Sequence, residues 1–211
     1  MMKKIFHLFL VWLTVSYCSS PNLKKNETNP VSQEINQLES QLQQNLSMDQ
    51  KSDLYVKLAS LYLRANNFNK AVQLLKSAEE IKKGKNIPHV NHYYGSAYYG
   101  TMDYKTAISY LKKSESTDKG FAEIERKILL VKSYFEEKDY GRGLGVLGQL
   151  AKDRNYVKDE FYYRKAAEGF YQIREYHKSR NVIQQGFAKF PEDKVLMEIS
   201  RKIDLITQAD Y

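Results

Sequence analysis

The chain has 211 residues and a formal net charge of +8, with 42% hydrophobic and 27% charged residues. That length suits one domain able to bury a continuous core. Lysines are scattered among glutamates, so the clustered basic stripe that nucleic-acid binding requires is missing, and no nucleic-acid partner is expected.

At the amino end, Lys3 and Lys4 precede an apolar run from Ile5 to Val15. The run is too short to span a bilayer and fits a signal peptide over residues 1–17. Val15-Ser16-Tyr17-Cys18 follows, and Cys18 is the only cysteine. These residues resemble the lipobox of bacterial lipoproteins, in which the cysteine is acylated and becomes the first residue of the mature chain. Tyr17 departs from that pattern, where a small residue usually stands. The other reading, an ordinary secreted protein cleaved nearby, leaves an unpaired thiol in an oxidising compartment. Lipidation of Cys18 implies an exported protein of the cell envelope, anchored at the outer membrane facing the periplasm by acyl chains and not by a spanning helix. Residues 18–31 are polar, with Pro21 and Pro30, and read as a tether reaching roughly 40 Å when extended. Ile35, Leu38, Leu42 and Leu46 then space an amphipathic helix that opens a domain expected over residues 32–211.

Beyond it the sequence repeats. Phe68, Tyr104, Tyr140 and Tyr176 recur every 36 residues, as do Tyr62, Tyr98, Tyr134 and Phe170. Leu75, Leu111, Leu147 and Ile183 keep the same register, and so do Ala71, Ala107, Gly143 and Ser179. In the first unit Tyr55, Leu58, Ala59 and Tyr62 fall on one helical face, and Phe68, Ala71, Leu75 and Ala78 on another. Between them lies a polar break at Asn66-Asn67, which recurs as Met102-Asp103, Lys138-Asp139 and Arg174-Glu175. Each unit is therefore helix, turn, helix, and stacking is the way such units bury their apolar stripes. The expected units are residues 52–87, 88–123, 124–159 and 160–191. Val195, Ile199, Ile203 and Ile206 space a capping helix over 192–208.

These columns resemble the tetratricopeptide repeat family over roughly residues 50–191. The third unit departs at Lys127, Val131 and Leu150, Asn91 replaces a large residue in the second, and the period exceeds the usual length of about 34. The resemblance implies an all-α, right-handed α-solenoid of about four repeats with amino- and carboxy-terminal capping helices. The small columns pair Ala59 with Ala71, Gly95 with Ala107, Val131 with Gly143 and Ala167 with Ser179. Where the first member grows to valine the second shrinks to glycine, as a close helix crossing requires.

Three other patterns resolve into this framework. Gly143, Gly145 and Gly148 spell a dinucleotide-binding fingerprint, but they follow a helical segment and not a strand, so no cofactor is implied. Gly141, Gly143, Gly145 and Gly148 should make the second helix of unit three the softest part of the array. His89 and His92 share a predicted helical face, yet two ligands do not close a metal site, and no metal is expected. Tyr94 and Tyr98 are repeat positions, which leaves Tyr93 and Tyr99 to be explained. No nucleophile, base and orienting group come together, so the chain is not expected to be an enzyme.

In the tetratricopeptide family the first helices line a concave face through positions off the packing stripe. Here those include Leu63; His92, Ser96 and Tyr99; Lys132 and Phe135; Arg164, Glu168 and Tyr171. Val56, Ser60, His92 and Ser96 do not reproduce the family's carboxylate clamp. Leu63, Tyr99, Phe135 and Tyr171 form a ladder that either lines an open groove or packs between adjacent first helices. An open ladder suits an extended peptide or an apolar helix. The resemblance thus implies an envelope scaffold or adaptor that binds other envelope proteins or peptides. Lipoproteins of this build serve in outer-membrane protein assembly or pilus secretin assembly. The alternative is a small-ligand-binding accessory lipoprotein of a transport system.

Overall fold

A computed structural model describes residues 30–209. The expected signal peptide, Cys18 and most of the tether lie outside the described residues. The fold is all-α, with no strand among the described residues. Its helices are α1 (Pro30–Gln41), α2 (Met48–Arg64), α3 (Phe68–Lys82), α4 (Val90–Gly100), α5 (Tyr104–Thr117), α6 (Glu123–Glu136), α7 (Tyr140–Leu150), α8 (Glu160–Gln172), α9 (Tyr176–Phe187) and α10 (Lys194–Ala209).

The polar breaks fold into one turn used four times. Asn66, Met102, Lys138 and Arg174 all adopt a left-handed backbone, with φ of 57°, 64°, 59° and 62°. The residue after each donates its backbone N–H to a carbonyl five residues back. Asn67 bonds to Tyr62 at 2.8 Å, Asp103 to Tyr98 at 3.0 Å, Asp139 to Tyr134 at 2.8 Å and Glu175 to Phe170 at 2.8 Å. This is the arrangement that closes a helix through a left-handed residue. The same donor then opens the next helix: the side chains of Asn67, Asp103 and Asp139 accept from the N–H of Lys70, Thr106 and Arg142. One dipeptide therefore stops one helix and starts the following one.

The core repeats in the same register. The second helices bury Ala71, Leu75 and Ala78; Ala107, Leu111 and Ser114; Gly143, Leu147 and Leu150; Ser179, Ile183 and Gly186. The first helices answer with Leu58 and Ala59, Tyr94 and Gly95, Leu130 and Val131, and Ala166 and Ala167. The closest pairings are α2 with α3, α4 with α5, α6 with α7 and α8 with α9, each pair resting on the next. At the carboxy end α10 lays Leu196, Ile199 and Ile203 against Tyr163 and Ile183. Its own start is capped by Asp193, whose carboxylate accepts from the N–H of Val195 and Leu196.

Several expectations change in detail. The first amphipathic helix begins at Pro30, inside the expected tether, because proline loses nothing at a first helical position. It ends at Gln41, so Leu46 lies in the connection to α2. There Ser47 and Gln50 form a reciprocal capping box that starts α2 at Met48, four residues before the expected unit boundary. The small columns are buried, but only Ala167 and Ser179 meet as a directly bonded pair, the hydroxyl donating to the carbonyl at 2.8 Å. The space at Gly143 is taken by Phe135 and not by Val131, since a methyl group there would fall 2.6 Å from the Phe135 ring. At Gly95 the close neighbour is Leu111, also at 2.6 Å, in place of Ala107.

Candidate functional site

On α2, Ser60 and Leu63 flank the stripe that buries Leu58 and Ala59, and on α4 His92, Ser96 and Tyr99 flank Tyr94 and Gly95, with His92 itself buried. These five residues line one pocket of about 530 Å³ between α2, α4 and α6. Phe68, Tyr93, Phe121 and Leu129 complete its apolar walls, with Arg64 and Glu125 among its polar lining. Phe68 reaches this position because its ring lies on the bare backbone of Gly100, where any side chain would collide with it. Tyr93 and Tyr99, unexplained by the repeat, both belong to this lining.

The hydroxyls are already oriented. Ser60 donates to the Lys57 carbonyl at 2.7 Å and Ser96 to the His92 carbonyl at 3.0 Å, which leaves both oxygens able to accept. Burial raises the hydroxyl pKa of Tyr93 and of Tyr99 above the ordinary phenol value, so both remain protonated donors.

Behind the pocket lies a buried polar cluster. His92 is 3% exposed, and its pKa is pushed down to about 4, first by burial and then by the Arg126 charge. Asp118 and Arg126 are buried beside it. Asp118 accepts from the His89 N–H at 3.0 Å, and Arg126 donates to the Phe121 carbonyl at 2.9 Å. Phe121 stacks on His89 at 3.7 Å and meets His92 edge-on at 5.3 Å. His89 Nδ1, His92 Nδ1, Asp118 Oδ2 and Arg126 Nε are buried without a hydrogen-bond partner among the described residues. His89 does not share the α4 face: it precedes the helix in a left-handed conformation. Among the described residues no group of three or more His, Cys, Asp or Glu could hold a metal ion.

The other expected groove residues are not part of this pocket. Phe135 is 5% exposed and packs into the core, its ring filling the space left by Gly143 and Gly169. Of the two alternatives for the ladder, Phe135 takes the packed one at its third rung. Tyr171 joins the hydrophobic cluster under α10. Lys132 sits over the Phe161 ring at 5.6 Å, and Glu168 pairs with Lys165 at 2.8 Å. Arg164 is held by Asp193 at 2.7 Å and Glu160 at 2.8 Å, and lines a separate recess of about 640 Å³ with Phe161 and Phe190. Phe121, Glu125, Arg64 and Leu129 were missed by the sequence reading. Phe121 lies outside any helix, and no 36-residue column runs through it.

Fold and site together define an all-α protein of recurring helix pairs with an aromatic-walled pocket lined mainly by three first helices, joined by Phe68 of α3 and Phe121 of the connection before α6. No family model matches the chain, and no curated protein matches its sequence. Among the described residues no helix is long and apolar enough to cross a membrane.

Proposed function

We propose that this chain is a tetratricopeptide-type α-solenoid, anchored in the cell envelope through Cys18, that acts as a scaffold holding protein partners and carries out no chemistry. The observation that carries the reading is the pocket between α2, α4 and α6. Most of its lining comes from first helices, the elements through which solenoids of this kind hold extended segments.

The test is photocrosslinking in intact cells from position 96, with position 112 on exposed α5 as the control. Protein adducts from position 96 and none from 112 support the scaffold, and the reverse pattern overturns it. Tyr99→Ser should cut partner capture by tenfold or more, since large interface rings commonly carry about 2 kcal/mol. Cys18→Ser should release the folded protein from the membrane fraction. A second reading, a small-ligand accessory protein, draws on the pocket's volume of about 530 Å³, within the range of small-molecule sites. Native mass spectrometry separates the two, because a retained small molecule adds mass that no protein adduct explains.

A further inference from the structure

Resting on that reading, we infer that the segment held in the α2–α4–α6 pocket is dipolar: a large apolar or aromatic residue fills the pocket, acidic residues lie toward α2, and basic residues lie toward the start of α6 and the connection that follows α7. The anchor follows from the walls, where Leu63, Phe68, Tyr99, Phe121 and Leu129 surround the space. The order of charges follows from what lies on its two sides.

Toward α6, Glu125 lines both this pocket and a neighbouring recess of about 680 Å³ that also carries Glu123 and Asp153. Among the described residues no lysine or arginine lines that recess. Lys127 answers two of its three carboxylates, reaching Glu123 at 2.8 Å and Asp153 at 3.5 Å. Glu125 is left with His92, 4.0 Å away, and its side chain is 66% exposed. That imidazole is neutral at ordinary pH because burial depresses its pKa, so the Glu125 charge meets no opposite charge from it. Toward α2 the charge is Arg64, 63% exposed. Its carboxylate partner, Glu34, stands 3.9 Å off and is 54% exposed, a long solvent-screened pair that competes weakly with an incoming acid.

A segment acidic on one side of its anchor and basic on the other meets opposite charge at both ends. A uniformly acidic or uniformly basic segment meets like charge at one end, and like charges brought together across an interface are strongly unfavourable. Either direction of the segment's backbone can present the same order of charges.

Three synthetic peptides with one central phenylalanine test this by fluorescence anisotropy on the full chain. One is acidic on one side and basic on the other, the second acidic on both, the third basic on both. The dipolar peptide should bind about tenfold tighter than either uniform one. Glu125→Lys should move the preference to the doubly acidic peptide and Arg64→Glu to the doubly basic one. Both positions are exposed, so neither variant threatens the fold. Replacing the central phenylalanine by serine should abolish binding. Equal affinity for all three peptides, a preference that neither variant moves, or no binding at all overturns the inference. Self-association that Glu125→Lys breaks in the absence of peptide would place a second copy in the pocket and overturn it too. Crosslinks from position 96 that persist despite any of these failures leave the scaffold reading standing, whereas their loss removes both.

Discussion

Glu175 occupies the position at which Asn67, Asp103 and Asp139 cap their helices, with a matching backbone, yet its side chain makes no cap bond. The extra methylene carries its carboxylate to Lys178 at 3.3 Å, past the open N–H groups of α9. Glu175→Asp should shorten the reach, restore the cap, and stabilise the protein by about 1 kcal/mol, less the small loss of an exposed ion pair. Urea unfolding measures it, and an unchanged midpoint would show that the turn does not set α9 as it sets the other three. His92 makes a prediction in pH. Its pKa drops from an ordinary 6.5 to about 4 on folding, first through burial and then through the Arg126 charge beside it, with Asp118 only partly offsetting them. Between those two values the unfolded chain binds a proton that the folded one refuses, so stability rises with pH across the window and is lost as pH falls through it. The difference is roughly 3 kcal/mol at most. His92→Gln should flatten that part of the stability profile, compared by urea unfolding at pH 4.5 and pH 7. A slope that survives the substitution would assign the acid sensitivity to other groups.

At the scale of the element, α7 shows how one residue type serves two ends. A methyl group at Gly145 or Gly148 would meet nothing within 4 Å, so these glycines cost helix stability with no packing in return. Gly145→Ala and Gly148→Ala should each raise stability by about 0.4–1 kcal/mol. Gly143→Ala should do the opposite, because its methyl would drive into the Phe135 ring at 2.6 Å. Thermal melts of the three variants give the signs directly, and a stabilising Gly143→Ala would mean that Phe135 can leave its place at little cost. These glycines also mark where the sequence stops being readable. Helix pairs and their register are legible because local signals coincide: a left-handed residue, a cap and an apolar column recur in step. Part of the site is legible too, since Leu63, His92, Ser96 and Tyr99 follow from helix phase once the resemblance to the tetratricopeptide family points to the first helices. Phe135 has the same phase, and its fate is decided by Gly143 and Gly169 on two other helices, which no reading of α6 contains. Phe121 is illegible for a different reason, as it enters the pocket from a connection that obeys no period.

Across the whole molecule charge is divided between the two sets of helices. The second helices α3, α5, α7 and α9 carry nine lysines and arginines against three acids, while the first helices α2, α4, α6 and α8 carry eight against seven. The pocket side is therefore balanced, so a few side chains such as Glu125, which no lysine or arginine pairs among the described residues, set its local field. Among the described residues the substantial contacts run between helices that are neighbours or next neighbours in the chain. An array built on such contacts holds together as a series of interfaces, and each end depends on its own cover. Leu196 of α10 is fully buried, against Gly186 and Tyr163. Leu196→Glu would place an unpaired carboxylate there, a substitution costing several kcal/mol. If stability is the sum of neighbouring interfaces, amide hydrogen exchange should rise first in α8, α9 and α10, with α2 and α3 still protected. A single cooperative core would instead lose protection evenly from α2 to α10, and that result would set the stacked-unit architecture aside.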